Sequence, residues 1–103
     1  MKLTMRYYGF FSTLTKKLQE QLDLEYEVLN EISVRILVDK LTQTYGYKFG
    51  NLCFIRPLYS DRDYVNIYLN TQDLNNISLF PNGLNTIVKD GDIITFGAVG
   101  GAA

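Results

Sequence analysis

The stretch Lys89-Asp90-Gly91-Asp92-Ile93-Ile94-Thr95-Phe96 joins a polar turn directly to four residues of strand composition. Gly91 has no Cβ and can take the positive φ that a tight turn requires, so the segment predicts a turn that delivers a closing strand. Upstream, the run from Asn75-Asn76-Ile77 through Phe80-Pro81-Asn82-Gly83 is turn-rich, with Leu84, Ile87 and Val88 as its apolar ties. Downstream, Gly97-Ala98-Val99-Gly100-Gly101-Ala102-Ala103 contains nothing that could fold. The expected organisation is therefore one domain over residues 1–96 and a slim tail over 97–103. Fully extended at about 3.3 Å per residue, such a tail reaches roughly 23 Å.

Further back, Val65, Ile67 and Leu69 alternate with Asn66 and Tyr68, predicting a third strand closed by the turn Asn70-Thr71-Gln72-Asp73. Residues 48–63 are irregular, and Pro57 with Ser60-Asp61-Arg62-Asp63 predicts a loop there. Ser33 is an N-cap candidate for a helix in which Val34, Leu37, Val38, Leu41 and Tyr45 recur at helical spacings up to Gly46. Its apolar stripe must lie on the strands. At the amino end, Leu3, Met5 and Tyr7 alternate with Lys2, Thr4 and Arg6, predicting a first strand over Lys2–Gly9. Ser12 reads as the cap of a short helix, with Leu14 and Leu18 on one face and Lys16 and Lys17 toward water. Leu24, Tyr26 and Val28 alternate with Glu25 and Glu27 as a second strand, antiparallel to the first. This order predicts an α+β fold, a β-grasp roll with one main helix packed across a mixed sheet of four to five strands.

A chain of 103 residues is long enough for one core without staples. Ten Lys and Arg against 11 Asp and Glu leave a net charge of −1, so no electrostatic footprint points to nucleic acid or to an anionic membrane. Cys53, alone, cannot form an internal disulfide, which fits a cytoplasmic setting; its context Leu52-Cys53-Phe54-Ile55 reads as core. The start has no apolar run of signal-peptide length, and no window approaches a membrane span.

The absence of histidine removes the commonest general base and transition-metal ligand together, and one cysteine leaves no zinc or iron–sulfur set. The carboxylate pairs Glu25/Glu27 and Asp61/Asp63 have the i, i+2 spacing of a solvated strand face. No catalytic residue and no metal site are expected: the chain reads as a carrier or binder, not an enzyme. Tyr45, Tyr47, Tyr59, Tyr64 and Tyr68 fit either a binding surface or half-buried strand positions.

Three segments and one doublet carry a resemblance along nearly the whole chain. They are Met5-Arg6-Tyr7-Tyr8-Gly9-Phe10-Phe11, Ile67-Tyr68-Leu69-Asn70, the Asp90-Gly91-Asp92 turn with its closing strand, and Gly100-Gly101. Together they resemble the ubiquitin-like sulfur carriers of the MoaD/ThiS family. The resemblance implies that an activating enzyme joins the terminal glycine carboxylate to AMP from ATP, and that sulfur then replaces AMP to leave a thiocarboxylate for molybdopterin or a related product. It implies Gly101, with Gly100, as the point of activation or conjugation, and Phe96, Gly97, Ala98 and Val99 as the tail that partners bind. It implies no bound cofactor, with ATP used by the activating partner. The implied partners are that adenylating enzyme, the molybdopterin synthase large subunit or another sulfur acceptor, and a protease that trims the tail.

The sequence departs from the family at its end, where Ala102-Ala103 follows Gly100-Gly101 and the family stops at a glycine pair. Two alignments stay open. Either Ala102 and Ala103 are an overhang to be trimmed, or they stand in place of the diglycine and the carrier is altered or blocked. The family's proline pair before the tail is absent too, with Gly97 and Ala98 in or near its place. Phe96 and Val99 could anchor in a partner's groove, and Phe96 reads equally well as core. Three functions follow: a sulfur carrier, a protein modifier joined to lysines through the same glycine, and a β-grasp module that only docks.

Overall fold

The computed structural model describes residues 1–24, 31–55 and 64–97. In chain order the elements are β1 (Lys2–Tyr7), α1 (Phe10–Thr15), β2 (Gln19–Asp23), α2 (Val34–Tyr45), α3 (Tyr47–Cys53), β3 (Phe54–Ile55), β4 (Tyr64–Val65), β5 (Ile67–Leu69), β6 (Gln72–Asp73), a 3₁₀ turn at Gly83–Asn85 and β7 (Ile93–Phe96). Five strands form one sheet in the order β2-β1-β7-β5-β6. The first and last strands are parallel neighbours at its centre, with Tyr7 opposite Phe96, and the other pairings are antiparallel. A mixed sheet in this order, with a helix across one face, is the β-grasp roll.

The helix forms where capping and periodicity agree. The Ser33 side chain accepts a hydrogen bond from the Ile36 amide at 3.2 Å, satisfying a donor that the first turn leaves open. Val34, Leu37, Val38 and Leu41 are buried, and they meet Leu3, Met5 and Tyr7 of β1, Ile67 and Leu69 of β5, and Ile94 and Phe96 of β7 in one core. Each buried side chain of this size contributes on the order of 2 kcal/mol, which the isolated helix could not supply for itself.

Several expectations are corrected. Tyr47–Cys53 form α3, although 48–53 were expected within a loop, because Phe49 and Cys53 lie one helical turn apart and both are fully buried. Ser12 does not cap α1; Gly9 precedes the helix, and the Ser12 hydroxyl lies inside it, donating to the Gly9 carbonyl at 2.7 Å. Leu18 does not share a face with Leu14, since α1 ends at Thr15 and Leu18 is exposed while Leu14 packs on the core. The third strand is broken at Asn66, so Tyr64–Val65 pairs with β3 in a separate ribbon and Ile67–Leu69 joins the main sheet. The first strand stops at Tyr7 instead of Gly9, and β2 lies earlier than its alternation suggested, at Gln19–Asp23. Glu25, Tyr26, Glu27 and Val28 lie outside the described residues, as do Pro57, Tyr59 and the run 60–63.

Candidate functional site

β7 lies between β1 and β5 and ends at Phe96, directly before Gly97. Phe96, the last residue of β7, is fully buried; its ring stacks on Tyr7 with centroids 5.8 Å apart and meets Phe49 edge-on at 5.1 Å. The Phe96 carbonyl accepts the Tyr8 amide at 2.9 Å, and the Gly97 amide donates to the Asn66 carbonyl at 3.0 Å. Gly97 itself is buried at φ +98, a conformation L side chains rarely adopt. A Cβ there would lie 2.8 Å from the Tyr8 carbonyl oxygen and 3.3 Å from the Phe11 ring. Two hydrogen bonds and a position that favours glycine therefore fix the backbone at Gly97.

This geometry corrects two expectations. Phe96 is not part of a partner-binding tail, because its ring fills the centre of the aromatic core. Gly97, expected in the tail, is itself held by the sheet through its amide on the Asn66 carbonyl. Ala98, Val99, Gly100, Gly101, Ala102 and Ala103 lie outside the described residues.

The Asp90-Gly91-Asp92 turn sits at the opposite end of β7 and ties three parts of the sheet together. The Asp90 carboxylate accepts the Lys2 amide at 2.7 Å, and the Gly91 amide, at φ +85, donates to the Lys2 carbonyl at 2.8 Å. Asp92 closes the turn through the Lys89 amide at 2.7 Å and also accepts from the Asn70 side chain at 2.9 Å. Asn70 in turn accepts the Ile93 amide at 2.9 Å, so the Asn70–Asp73 turn and the start of β7 hold each other. The role of this turn is structural, as the order of residues suggests.

One cluster has no sequence signal strong enough to find it. Tyr7 and Tyr45 both donate to one oxygen of Glu20, at 2.5 and 2.7 Å, and Lys17 donates to the other at 2.9 Å. The Lys17 ammonium also reaches the Tyr45 hydroxyl at 3.2 Å. Burial pushes the Glu20 carboxyl up, but the hydrogen bonds from Tyr45, Tyr7 and Lys17 outweigh it and hold the carboxyl below its ordinary range. Burial first, and the hydrogen bond to Glu20 second, push both tyrosine hydroxyls up. The four residues come from β1, the α1–β2 connection, β2 and α2, and only the fold brings them together. Burial alone pushes the Cys53 thiol up to about 12, so it is an inert core group. Among the described residues no three His, Cys, Asp or Glu side chains gather as a metal ion requires, and no helix is long and apolar enough to cross a membrane.

No protein-family model matches the chain, and no curated protein matches it in sequence. Solved structures do match its fold. A molybdopterin converting factor subunit 1 from Pyrococcus furiosus superposes with a TM-score of 0.63 at 21% identity, covering 94% of this chain and 98% of that one. Small archaeal modifier protein 1 from Methanosarcina acetivorans gives 0.62 at 18%, covering 99% and 96%. A chain of the BexX/CysO complex from Amycolatopsis orientalis gives 0.60 at 22%, covering 96% and 99%. At such identities the likeness establishes the fold, ubiquitin-like β-grasp over essentially the whole chain.

Proposed function

We propose that this protein is a ubiquitin-like sulfur carrier whose carboxyl terminus, at Gly101 once Ala102 and Ala103 are removed, is adenylated and converted to a thiocarboxylate. The observation that carries the reading is Gly97, whose backbone is fixed at the end of β7 and which the pair Gly100-Gly101 follows closely in sequence. The likeness to a molybdopterin converting factor subunit supports it from the side of the fold.

The chemistry asks little of the carrier's own side chains. A carboxylate is a poor electrophile until one oxygen becomes a leaving group. Its attack on the α-phosphorus of ATP releases pyrophosphate and gives an acyl adenylate, and a sulfur nucleophile then takes the carbonyl carbon as AMP departs. The adenylating partner binds ATP and stabilises the charge that develops. What the carrier contributes is position, since a terminus joined to a backbone fixed at Gly97 loses less freedom on entering another protein's site than one on a loose chain. Glycines at the end present no side chain to a narrow channel. The final acceptor would be a molybdopterin synthase large subunit or another sulfur acceptor, in the cytoplasm.

The test is intact mass after incubation with a protease that removes Ala102-Ala103, then with ATP, a sulfur source and an adenylating enzyme of this class. The expected product has lost Ala102-Ala103 and gained the mass difference between sulfur and oxygen. The likeness to a small archaeal modifier supports a second use of the same activated glycine, amide transfer to lysines of other proteins. Isopeptide-linked Gly-Gly remnants on those lysines would identify it. Unaltered mass, with docking untouched by deletion of residues 98–103, would leave only a binding module.

A further inference from the structure

Next to the exit, α1 and α3 border a surface groove of about 570 Å³. Phe10 and Leu14 of α1 and Leu52 of α3 give it an apolar lining, and Lys16 and Lys48 stand on the same groove. Three observations set it apart from ordinary surface. Phe10 is 77% exposed, although its neighbour Phe11 is buried against Gly97. Lys16 and Lys48 have no ion pair among the described residues. Lys16 also holds φ +60 just after α1, with its amide closing the helix on the Ser12 carbonyl. That cap position favours glycine or asparagine, and a lysine there is strained. Strain kept at a residue that places a cation over an apolar groove points from fold to binding.

We propose that this groove docks an acidic amphipathic segment of a partner protein, with a leucine or aromatic side chain packed on Phe10, Leu14 and Leu52 and carboxylates meeting Lys16 and Lys48. Charge complementarity selects this occupant: the chain is net negative at −1, so the paired cations are a local feature that an acidic segment matches and a basic one would not. Because the helix that supplies Phe10 also supplies Phe11, the residue backing Gly97, a partner seated here contacts the helix that packs on Gly97. That this partner is the protein acting on the carboxyl end rests on the function proposed above. The docking itself does not.

The test is selection of a random phage-displayed peptide library on the full chain, followed by titration of the selected peptides into isotope-labelled protein. The expected peptides carry Asp or Glu around Leu or Phe, shift amide resonances of α1 and α3, and bind a Lys16→Glu/Lys48→Glu double variant about tenfold more weakly. Unchanged melting shows that the variant is folded. Lys16→Gly supplies an independent arm: it is expected to raise the melting temperature by about 4 °C through relief of strain, and to weaken peptide binding several-fold. A lysine with only a structural role would not couple gain in stability to loss of binding. The proposal is overturned if no peptide is selected, if the peptides lack acidic residues, if the double variant binds equally well, or if the shifts fall on the sheet. Shifts in α1 and α3 on concentrating the protein alone would assign the groove to a second copy and overturn it too. None of these readouts uses activation of Gly101, so failure of either proposal is seen separately.

Discussion

The carbonyl oxygen of Tyr8 stands 2.8 Å from where a Cβ on Gly97 would have to lie. Tyr8 follows β1 and Gly97 follows β7, so the two central strands close on each other at the point where the carboxyl end departs. Gly97→Ala must both hold an L side chain at φ +98 and push a backbone carbonyl aside. The expected cost is about 2–3 kcal/mol, read as a lower urea midpoint with an unchanged slope. A change below about 0.5 kcal/mol would mean that the exit is not fixed as described.

Gly101→Leu is expected to behave in the opposite way. Among the described residues the core is complete with Ile94 and Phe96 of β7, and the proposed role asks of Gly101 only that it enter a partner's site. Stability should stay within about 0.5 kcal/mol of the parent, while thiocarboxylate formation is lost. Mass spectrometry and a thermal melt on the same sample check both halves. Retained activation would remove Gly101 from the proposed role.

How much of this was legible depends on whether the signal is local. Ser33 with the Val34–Leu41 periodicity located α2, and Asp90-Gly91-Asp92 located the turn into β7, because capping and turn chemistry act within a few residues. The order of elements predicted a mixed sheet, and the parallel pairing of β1 with β7 is what makes it mixed. Helix α3 was missed because Pro57 and the polar run at 60–63 set the reading of the whole stretch 48–63, although Phe49 and Cys53 at i, i+4 carried the signal that burial obeyed. The role of Phe96 was open, since alternation does not say which face of a strand is inside; the stacking on Tyr7 settles it. The Tyr7–Glu20–Tyr45–Lys17 cluster spans 38 positions and has no local signature.

That cluster makes stability sensitive to acid. Glu20 is held below its ordinary range in the fold, so its contribution is present above the unfolded value, about 4.3, and is lost as pH falls through the lower folded value. Unfolding midpoints should therefore drop below about pH 4, more steeply in the parent than in Glu20→Gln. Glu20→Ala leaves the Tyr7 hydroxyl without its acceptor and should cost about 2 kcal/mol at pH 7. The tyrosines give the mirror effect: their folded values are raised, so stability is intact below about pH 10 and declines above it. Equal acid sensitivity in the parent and Glu20→Gln would count against this account.

Thr71 is a second place where the chain tolerates strain, at φ +69 directly after Asn70 at φ +50. Two consecutive positive φ values joining β5 to β6 are the geometry in which Asn-Gly is the favoured pair, and a β-branched residue is disfavoured at the second position. Thr71→Gly keeps Asn70, whose side chain binds Asp92 and Ile93, and removes the strain next to it. A gain of about 1 kcal/mol is expected in urea melts. A loss would show that the Thr71 side chain makes a contribution larger than its backbone cost.

Cys53 bears on the chemistry proposed for the carboxyl end. An activated acyl group is exposed to attack by any thiolate of its own chain, and a thiol pushed up to about 12 by burial is ionised to only about one part in ten thousand at pH 8. Cys53 is also fully buried at the end of α3, so reagent must wait for the fold to open. Labelling by iodoacetamide should therefore be slow in the native protein and should rise with urea in parallel with unfolding. The same burial predicts that adenylated protein accumulates no internal thioester, and that Cys53→Ala yields as much thiocarboxylate as the parent. Rapid native labelling, or a thioester that Cys53→Ala abolishes, would show that the thiol is reached from outside and would bring it into the reaction.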